Sequence, residues 1–178
     1  MEVFHGEPIE VSKPDILHSR KFLDFGPGFY LTTMRNQAMN YASRFTRRGK
    51  EAWLNIYNLT DSLTDWKVLK FDKYDEQWLD YVAECRAGRV PDDHDIVIGG
   101  IANDKVFRTL DLYFSGDINK EEALKRLVFE KPNVQICIRN QQFLDQCVTF
   151  ICKFRPSGTA HFGVTVPLIS AVGFFISL

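Results

Sequence analysis

Hydrophobic and polar positions follow two different periods along the chain, and the two periods succeed one another in no regular order. Short runs rich in β-branched and aromatic residues predict strands, and apolar residues that recur every three or four positions predict helices. The predicted strands are 2–5, 29–31, 52–59, 66–71, 95–101, 134–138 and 148–154. The predicted helices are 34–48, 76–87, 106–114, 120–129 and 143–147. Because strands and helices do not alternate as in repeated β-α-β units, the sequence predicts an α+β domain.

Polar residues ahead of three of these helices are expected to be N-caps. Thr33 precedes the first helix and Asp75 the second. Asn119 precedes the fourth helix, and Glu122 follows it at the spacing of a capping box.

The size and charge of the chain limit its function classes. The chain has 178 residues, 45% of them hydrophobic, which is enough for one domain with a core that needs no disulfide or metal. Its 22 basic and 23 acidic residues give a net charge of −1, which excludes a broad electrostatic footprint for non-specific nucleic-acid binding. A local cluster, Arg44, Arg47, Arg48 and Lys50, is the only basic segment worth testing, although such cations commonly end a helix.

The termini and cysteines bear on location. No export signal is visible at the start, and the four cysteines form neither a CxxC pair nor a Cys/His metal spacing. We therefore expect a cytoplasmic protein with reduced thiols, no disulfides and no metal, whose one domain spans residues 1–155. No charge follows Arg155, and the segment 156–178 is expected to be a buried strand or a tail from an altered reading frame. Pro167 and the short apolar run argue against a membrane span.

Three separated motifs are candidates for chemistry. His5 ends a predicted strand and is followed by Gly6, where a ligand can approach the backbone. A Gly-Pro-Gly turn at 26–28 precedes Tyr30, and Tyr41 follows eleven residues later on the next helix. Two such tyrosines can form the walls of a slot for a flat ring, although each is equally typical of a core. Neither a GxGxxG loop nor a Walker motif is present, so any nucleotide must be held differently.

The motifs HG at 5–6, FGxGFY at 25–30 and QAxNY at 37–41 resemble those of the poly(ADP-ribose) polymerase-like, diphtheria-toxin-type ADP-ribosyltransferases. The spacing of eleven residues between the tyrosines is the same. More closely, LDFGPGFYLTT, YDEQWLDYV, DIVIGGIANDKVF and INKEEALKRL resemble a bacterial family known as domain of unknown function 3990, which is placed among ADP-ribosyltransferase folds. This second resemblance covers about residues 3–146. It implies a split, mixed β-sheet core with flanking helices.

The resemblance also implies roles for individual residues, with NAD as co-substrate. The Gly6 backbone is expected to hold the nicotinamide amide, and His5 to bond the adenosine ribose. Tyr30 and Tyr41 are expected to stack on either side of the nicotinamide ring, and Gly28 belongs to the same binding motif. The family's helix serine is replaced by Ala38, which removes one expected hydrogen bond to the amide.

The catalytic glutamate of the resembling family is replaced by Gln135, which stands in the context Asn-Val-Gln-Ile at 133–136. Glutamine can bond a ribose hydroxyl but carries no charge, which argues against poly-chain elongation. Asp104 and Asp95, which flank a predicted central strand, are weaker candidates to replace the carboxylate, because Asp is also common at turns.

Three functions therefore compete. The first is a mono-ADP-ribosyltransferase that modifies a protein or nucleic acid, as a bacterial toxin with an antitoxin partner or in phage defence. The second is a degenerate module that binds NAD, ADP-ribose or only a partner protein. The third is an RNA phosphotransferase on a related fold, against which the pair Tyr30 and Tyr41 speaks.

Overall fold

The computed structural model describes residues 1–91, 93–100, 104–128 and 133–155. Within these residues the chain forms an α+β structure of one seven-stranded mixed sheet and five helices. The strands are β1 (Glu2–Glu7), β2 (Phe29–Thr32), β3 (Trp53–Leu59), β4 (Val68–Lys70), β5 (Ile96–Gly100), β6 (Val134–Ile138) and β7 (Val148–Phe154). The helices are α1 (Arg35–Arg47), α2 (Glu76–Arg86), α3 (Asp104–Phe114), α4 (Lys120–Leu127) and α5 (Gln141–Cys147). The predicted α+β class is confirmed, and the predicted segment 156–178 lies outside the described residues.

The strand order in the sheet is β4-β5-β6-β2-β1-β3-β7, and only β4 and β5 run parallel. β1 pairs with β3 along all six of its residues, and β2 pairs with β6 along all four of its own. Between β1 and β2, by contrast, the recorded register is one pair, Phe4 with Thr32. The centre of the sheet is therefore the place where its two halves are joined least.

Both faces of the sheet are covered by apolar clusters. Because paired residues share a face, Phe4, Thr32 and Gln135 mark one side, here called the α1 face. On this face one cluster lies under α2, α3 and α4, with Trp78 and Leu110 fully buried, and a smaller one includes Phe4 and Ala38. On the opposite face, the core consists of side chains from the sheet and α5, among them Leu31, Tyr57, Ile136, Phe143 and Leu144. The site residues thus sit in a sheet that is packed on both sides.

Two of the three predicted caps are confirmed. Asp75 accepts a hydrogen bond from the Trp78 N–H at 3.0 Å, and Asn119 accepts one from the Glu122 N–H at 2.9 Å. The prediction for Thr33 is wrong, because α1 has Met34 at its N-cap position without a side-chain cap. It is the Thr32 hydroxyl that accepts from the Met34 N–H, at 3.1 Å.

None of the described helices combines the length and the apolar character that crossing a membrane requires.

Candidate functional site

The interruption of the strand pairing between β1 and β2, here called the opening, is the central feature of the candidate site. Past the pair Phe4–Thr32, the next pairs of an antiparallel ladder, ending with Gly6 opposite Tyr30, are not recorded in the described part of the chain. His5 spans the opening instead, because its Nδ1 lies 2.8 Å from the Tyr30 carbonyl oxygen. A side chain therefore replaces a backbone hydrogen bond where the two halves of the sheet separate.

This contact fixes the proton on the His5 ring. A carbonyl oxygen only accepts, so Nδ1 donates, and in the neutral ring Nε2 is an acceptor. Nε2 lies 3.7 Å from the carboxylate of Glu7, and the ring packs on Phe29 with centroids 4.6 Å apart. His5 and Glu7 occupy alternate positions of β1 and so share a face, opposite to the α1 face. Together they present two acceptors that suit the hydroxyls of a ribose.

Gly6 is required by the packing of α1. A Cβ at this position would lie 2.5 Å from the Ala38 carbonyl oxygen and 3.0 Å from the Ala42 nitrogen. Both alanines are buried, so small residues on the helix meet a residue without a side chain on the strand. The glycine expected to contact nicotinamide therefore has a structural reason as well, and its backbone borders the opening.

The Tyr30 hydroxyl is occupied by the Gly-Pro-Gly turn. It donates to the Gly26 carbonyl oxygen at 2.5 Å and accepts from the Phe25 N–H at 3.2 Å. Burial raises the pKa of Tyr30 well above its ordinary value, and the neighbouring Cys137 adds to the rise. The ring packs against the larger cluster of the α1 face. Tyr30 therefore holds the turn, and only its half-buried ring remains available to a ligand.

The same turn is held at its other end by Ser19. The Ser19 hydroxyl accepts from the Gly28 N–H at 2.8 Å. A Cβ at Gly28 would lie 2.6 Å from both the Cys137 sulfur and the Ile138 carbonyl oxygen. Gly28 thus lets the turn lie directly on β6, and that packing requirement accounts for the glycine without a ligand.

Tyr41 lies half-buried on α1 between charged and aromatic neighbours. The Arg44 guanidinium lies over its ring at 5.3 Å, and the Phe45 ring meets it edge-on at 5.8 Å. A nitrogen of Arg20 lies 3.5 Å from the Tyr41 hydroxyl. Tyr30 and Tyr41 are both on the α1 face, but the contacts recorded for their rings are with different neighbours.

Gln135 lies on β6 directly opposite Thr32 and, on the other side, opposite Gly99. It is half-buried and belongs to the same face as Tyr30, which is its diagonal neighbour on β2. The structure therefore places Gly6, Tyr30 and Gln135 on one face of the sheet, with Gly6 and Tyr30 at the opening and Gln135 on the next strand. His5 reaches the same opening from the opposite face.

The two aspartates that were considered as substitutes for a catalytic carboxylate are Asp95 and Asp104. Asp95 lies at the far end of β5 from Gln135, where its oxygens accept from the Lys67 N–H at 2.9 Å and from Asn140 Nδ2 at 2.6 Å. Gly99 lies four positions further along the chain, which is about 13 Å in a strand. Asp95 is therefore a structural residue. Asp104 begins α3, and its side chain lies outside the described part of the structure.

Three residues near the site were not predicted from the sequence. Glu7 could have been found, because a residue two positions after His5 in a strand must share its face. Ser19 and Arg20 gave no signal, because each acts on a partner whose position depends on the path of the long segment before β2.

A family model described as "Protein of unknown function (DUF3990)" matches residues 1–150. The chain belongs to the DUF3990 family. No curated protein and no solved structure matches it. The DUF3990 match contains every candidate residue from His5 to Gln135, and the segment 156–178 lies beyond it.

Proposed function

We propose that this DUF3990 protein is an NAD-dependent mono-ADP-ribosyltransferase with an ADP-ribosyltransferase-like fold. The observation that carries the proposal is the opening between β1 and β2, which His5 spans and which Gly6 and Tyr30 border, with Gln135 on the next strand, β6. These are the positions to which the resemblance assigns NAD contacts. The opening offers backbone groups for an amide, acceptors for ribose hydroxyls, and Tyr41 on the adjacent helix for a flat ring.

The proposed reaction transfers ADP-ribose from NAD to an acceptor. The bond between the nicotinamide nitrogen and the ribose C1′ breaks, and its electron pair leaves with nicotinamide, which becomes neutral. The acceptor atom bonds to C1′ and gives up a proton. Positive charge develops on the ribose, as in glycoside hydrolysis. A hydrogen bond between Gln135 and a ribose hydroxyl orients the reacting sugar for this step, while His5 accepts one from the adenosine ribose.

Gln135 limits the rate that this chemistry reaches. At an effective dielectric of about 20, a carboxylate ~4 Å from the developing charge contributes ~4 kcal/mol, which is about a thousandfold in rate. A neutral amide lacks that contribution. We therefore expect slow transfer of single ADP-ribose groups rather than chain elongation.

A degenerate module that binds NAD or ADP-ribose is the second candidate function. The observation that favours it is the combination of an uncharged Gln135 with Asp95 fixed by hydrogen bonds at the other end of β5. Binding would use the same opening, with little cleavage of NAD.

The experiment incubates the chain with adenine-labelled NAD and bacterial lysate, and follows labelled macromolecules and free nicotinamide. Gln135→Glu restores the charge and is expected to raise both signals by up to about a thousandfold. Gln77→Glu, an exposed change of the same charge in the first turn of α2, is the matched control and should leave both signals unchanged. Tyr41→Ala should abolish them. It is a cleaner test than Tyr30→Ala, because the Tyr30 hydroxyl also holds the turn.

The outcomes separate the two candidates. Nicotinamide release that rises with Gln135→Glu supports the transferase. NAD binding that Tyr41→Ala removes, without release from either the natural chain or Gln135→Glu, supports the binding module. The proposed setting, a bacterial toxin with an antitoxin partner or a phage-defence component, rests on the resemblance. It predicts growth arrest on expression that Tyr41→Ala relieves.

A further inference from the structure

The segment that forms α1 and the turn after it carries only one sign of charge. From residue 35 to residue 50 the chain has five basic residues and no acidic one. Three of the cations, Arg47, Arg48 and Lys50, are exposed at the end of the helix. Arg20 comes from a separate segment and is also exposed, with a side-chain nitrogen 3.5 Å from the Tyr41 hydroxyl. We call Arg20, Tyr41, Arg44, Arg47 and Arg48 the α1 patch.

Ion pairing separates Arg20, Arg47 and Arg48 from most other cations of the described surface. Over the rest of the described surface, most cations are held by neighbouring carboxylates, as are Lys67, Lys70, Lys73, Arg86, Arg89, Lys120, Lys125, Arg126, Lys153 and Arg155. Arg20, Arg47 and Arg48 have no recorded ion pair with any residue that the structure describes. The helix dipole explains cations in the last turn of α1. It does not explain Arg20, which is not on the helix.

Aromatic and basic groups alternate within the patch. The Tyr41 ring lies under the Arg44 guanidinium, while Arg20 approaches its hydroxyl and Phe45 its edge. Tyr41, Arg44 and Arg48 follow one another at helical spacing of three and four residues, so they form one stripe. Basic side chains that track a phosphate backbone, beside an aromatic ring on which a base stacks, are the features of a surface for single-stranded nucleic acid.

We propose that the α1 patch binds single-stranded nucleic acid, with Arg20, Arg47 and Arg48 on phosphates and a base against Tyr41 and Arg44. An acidic peptide would satisfy the cations but would leave the aromatic stack without a partner, so nucleic acid is the better fit. The near-neutral total charge is compatible with this inference, because the patch is local and acidic residues are spread over the remaining surface. Tyr41 belongs to both proposed surfaces, but Arg20, Arg47 and Arg48 have no role in the proposed NAD chemistry, so binding measured without NAD tests this inference separately.

The test measures binding of the full chain, without NAD, to a fluorescein-labelled 20-nucleotide single strand by fluorescence anisotropy between about 50 and 200 mM salt. RNA and DNA of the same mixed sequence form two arms. The patch variant is Arg20→Gln, Arg47→Gln and Arg48→Gln together. The matched control is Lys70→Gln, Lys73→Gln and Lys125→Gln, which removes the same charge from exposed, ion-paired positions. Circular dichroism and Tm establish that both variants are folded.

In at least one of the two arms, the patch variant is expected to bind more than tenfold more weakly at the lowest salt. Its plot of log K against log salt should be shallower by about 2, because each lost phosphate contact on a single strand contributes about 0.7. The control should keep the natural slope, and Tyr41→Ala should weaken binding at least about fivefold. Three outcomes overturn the proposal: no binding to RNA or DNA, an equal loss in patch and control variants, or equal displacement of the strand by poly-glutamate.

Discussion

Gly6 shows how a single residue sets the distance between a helix and the sheet. Gly6→Ala puts a methyl group 2.5 Å from the Ala38 carbonyl oxygen, so α1 must move away. Overpacking of this kind typically costs about 1–3 kcal/mol. We expect the free energy of unfolding in urea to fall by that amount. Gly49→Asn is the control, because Gly49 has a φ of +71° that Asn tolerates and open space around it. An unchanged urea midpoint for Gly6→Ala would contradict the packing role.

At Tyr30, the hydroxyl and the ring are expected to have separate roles. Tyr30→Phe keeps the ring but leaves the Gly26 carbonyl and the Phe25 N–H without their recorded partner. Each buried polar group that loses its partner costs about 1–3 kcal/mol. The variant should therefore unfold at lower urea while its affinity for NAD, measured by calorimetry, stays within about twofold of the natural chain. Loss of NAD affinity with unchanged stability would assign the hydroxyl to the ligand instead.

Cys137 provides a pH-dependent test of the same buried region. Burial raises the pKa of its thiol to about 12. Since the thiolate is the nucleophile, only a small fraction of Cys137 is reactive at pH 8, and this fraction rises with pH. We expect iodoacetamide at pH 8 to label exposed Cys152 and to spare Cys137 until the chain is unfolded. Mass spectrometry of peptides from native and urea-treated protein measures the difference. Equal labelling of both would show that the region under the turn is open.

At the scale of helices and strands, local signals carried most of the information. The bounds of β6 and β7 agree with the sequence pattern, and the other elements differ by a few residues at their ends. Asp75 and Asn119 were predictable as caps because a cap bonds a backbone N–H three residues away. The prediction of Thr33 as the cap was wrong because two threonines stand next to each other at the start of α1. It is the hydroxyl of Thr32 that accepts the hydrogen bond from the Met34 N–H.

Helix α4 is expected to depend on its capping residue. Asn119→Ala removes the acceptor of the Glu122 N–H, which should lower the free energy of unfolding by about 1 kcal/mol. Asn119→Ser keeps a side-chain oxygen that can accept this hydrogen bond, so its free energy of unfolding should fall by only a few tenths of a kcal/mol. Urea denaturation of the natural chain and the two variants measures whether the Asn119 side chain stabilises α4. Equal stability of Asn119→Ala and Asn119→Ser would mean that the cap contributes nothing.

The pairing and the order of the strands could not be predicted from the sequence. Gln135 and Thr32 face each other across 103 residues, and nothing local to either residue specifies that pairing. The order of the strands likewise follows from how the faces pack and not from any one segment. The residues of the candidate site could therefore be named from motifs and resemblance, whereas the single pair that joins β1 to β2 could be found only in the structure.

That sheet order predicts how protection from hydrogen exchange is distributed. β4 and β7 are the edges among the described strands, whereas β3, β2 and β6 each lie between two others. Amides of interior strands exchange mainly through global unfolding, and those of edges through local opening. Mass spectrometry should therefore find peptides of β3 and β6 slowest, and peptides of β4 and β7 faster by more than about tenfold. β7 is the informative case, because Ile151 and Phe154 are 52% and 40% exposed. Protection of β7 equal to that of β3 would mean that its outer edge is covered in solution.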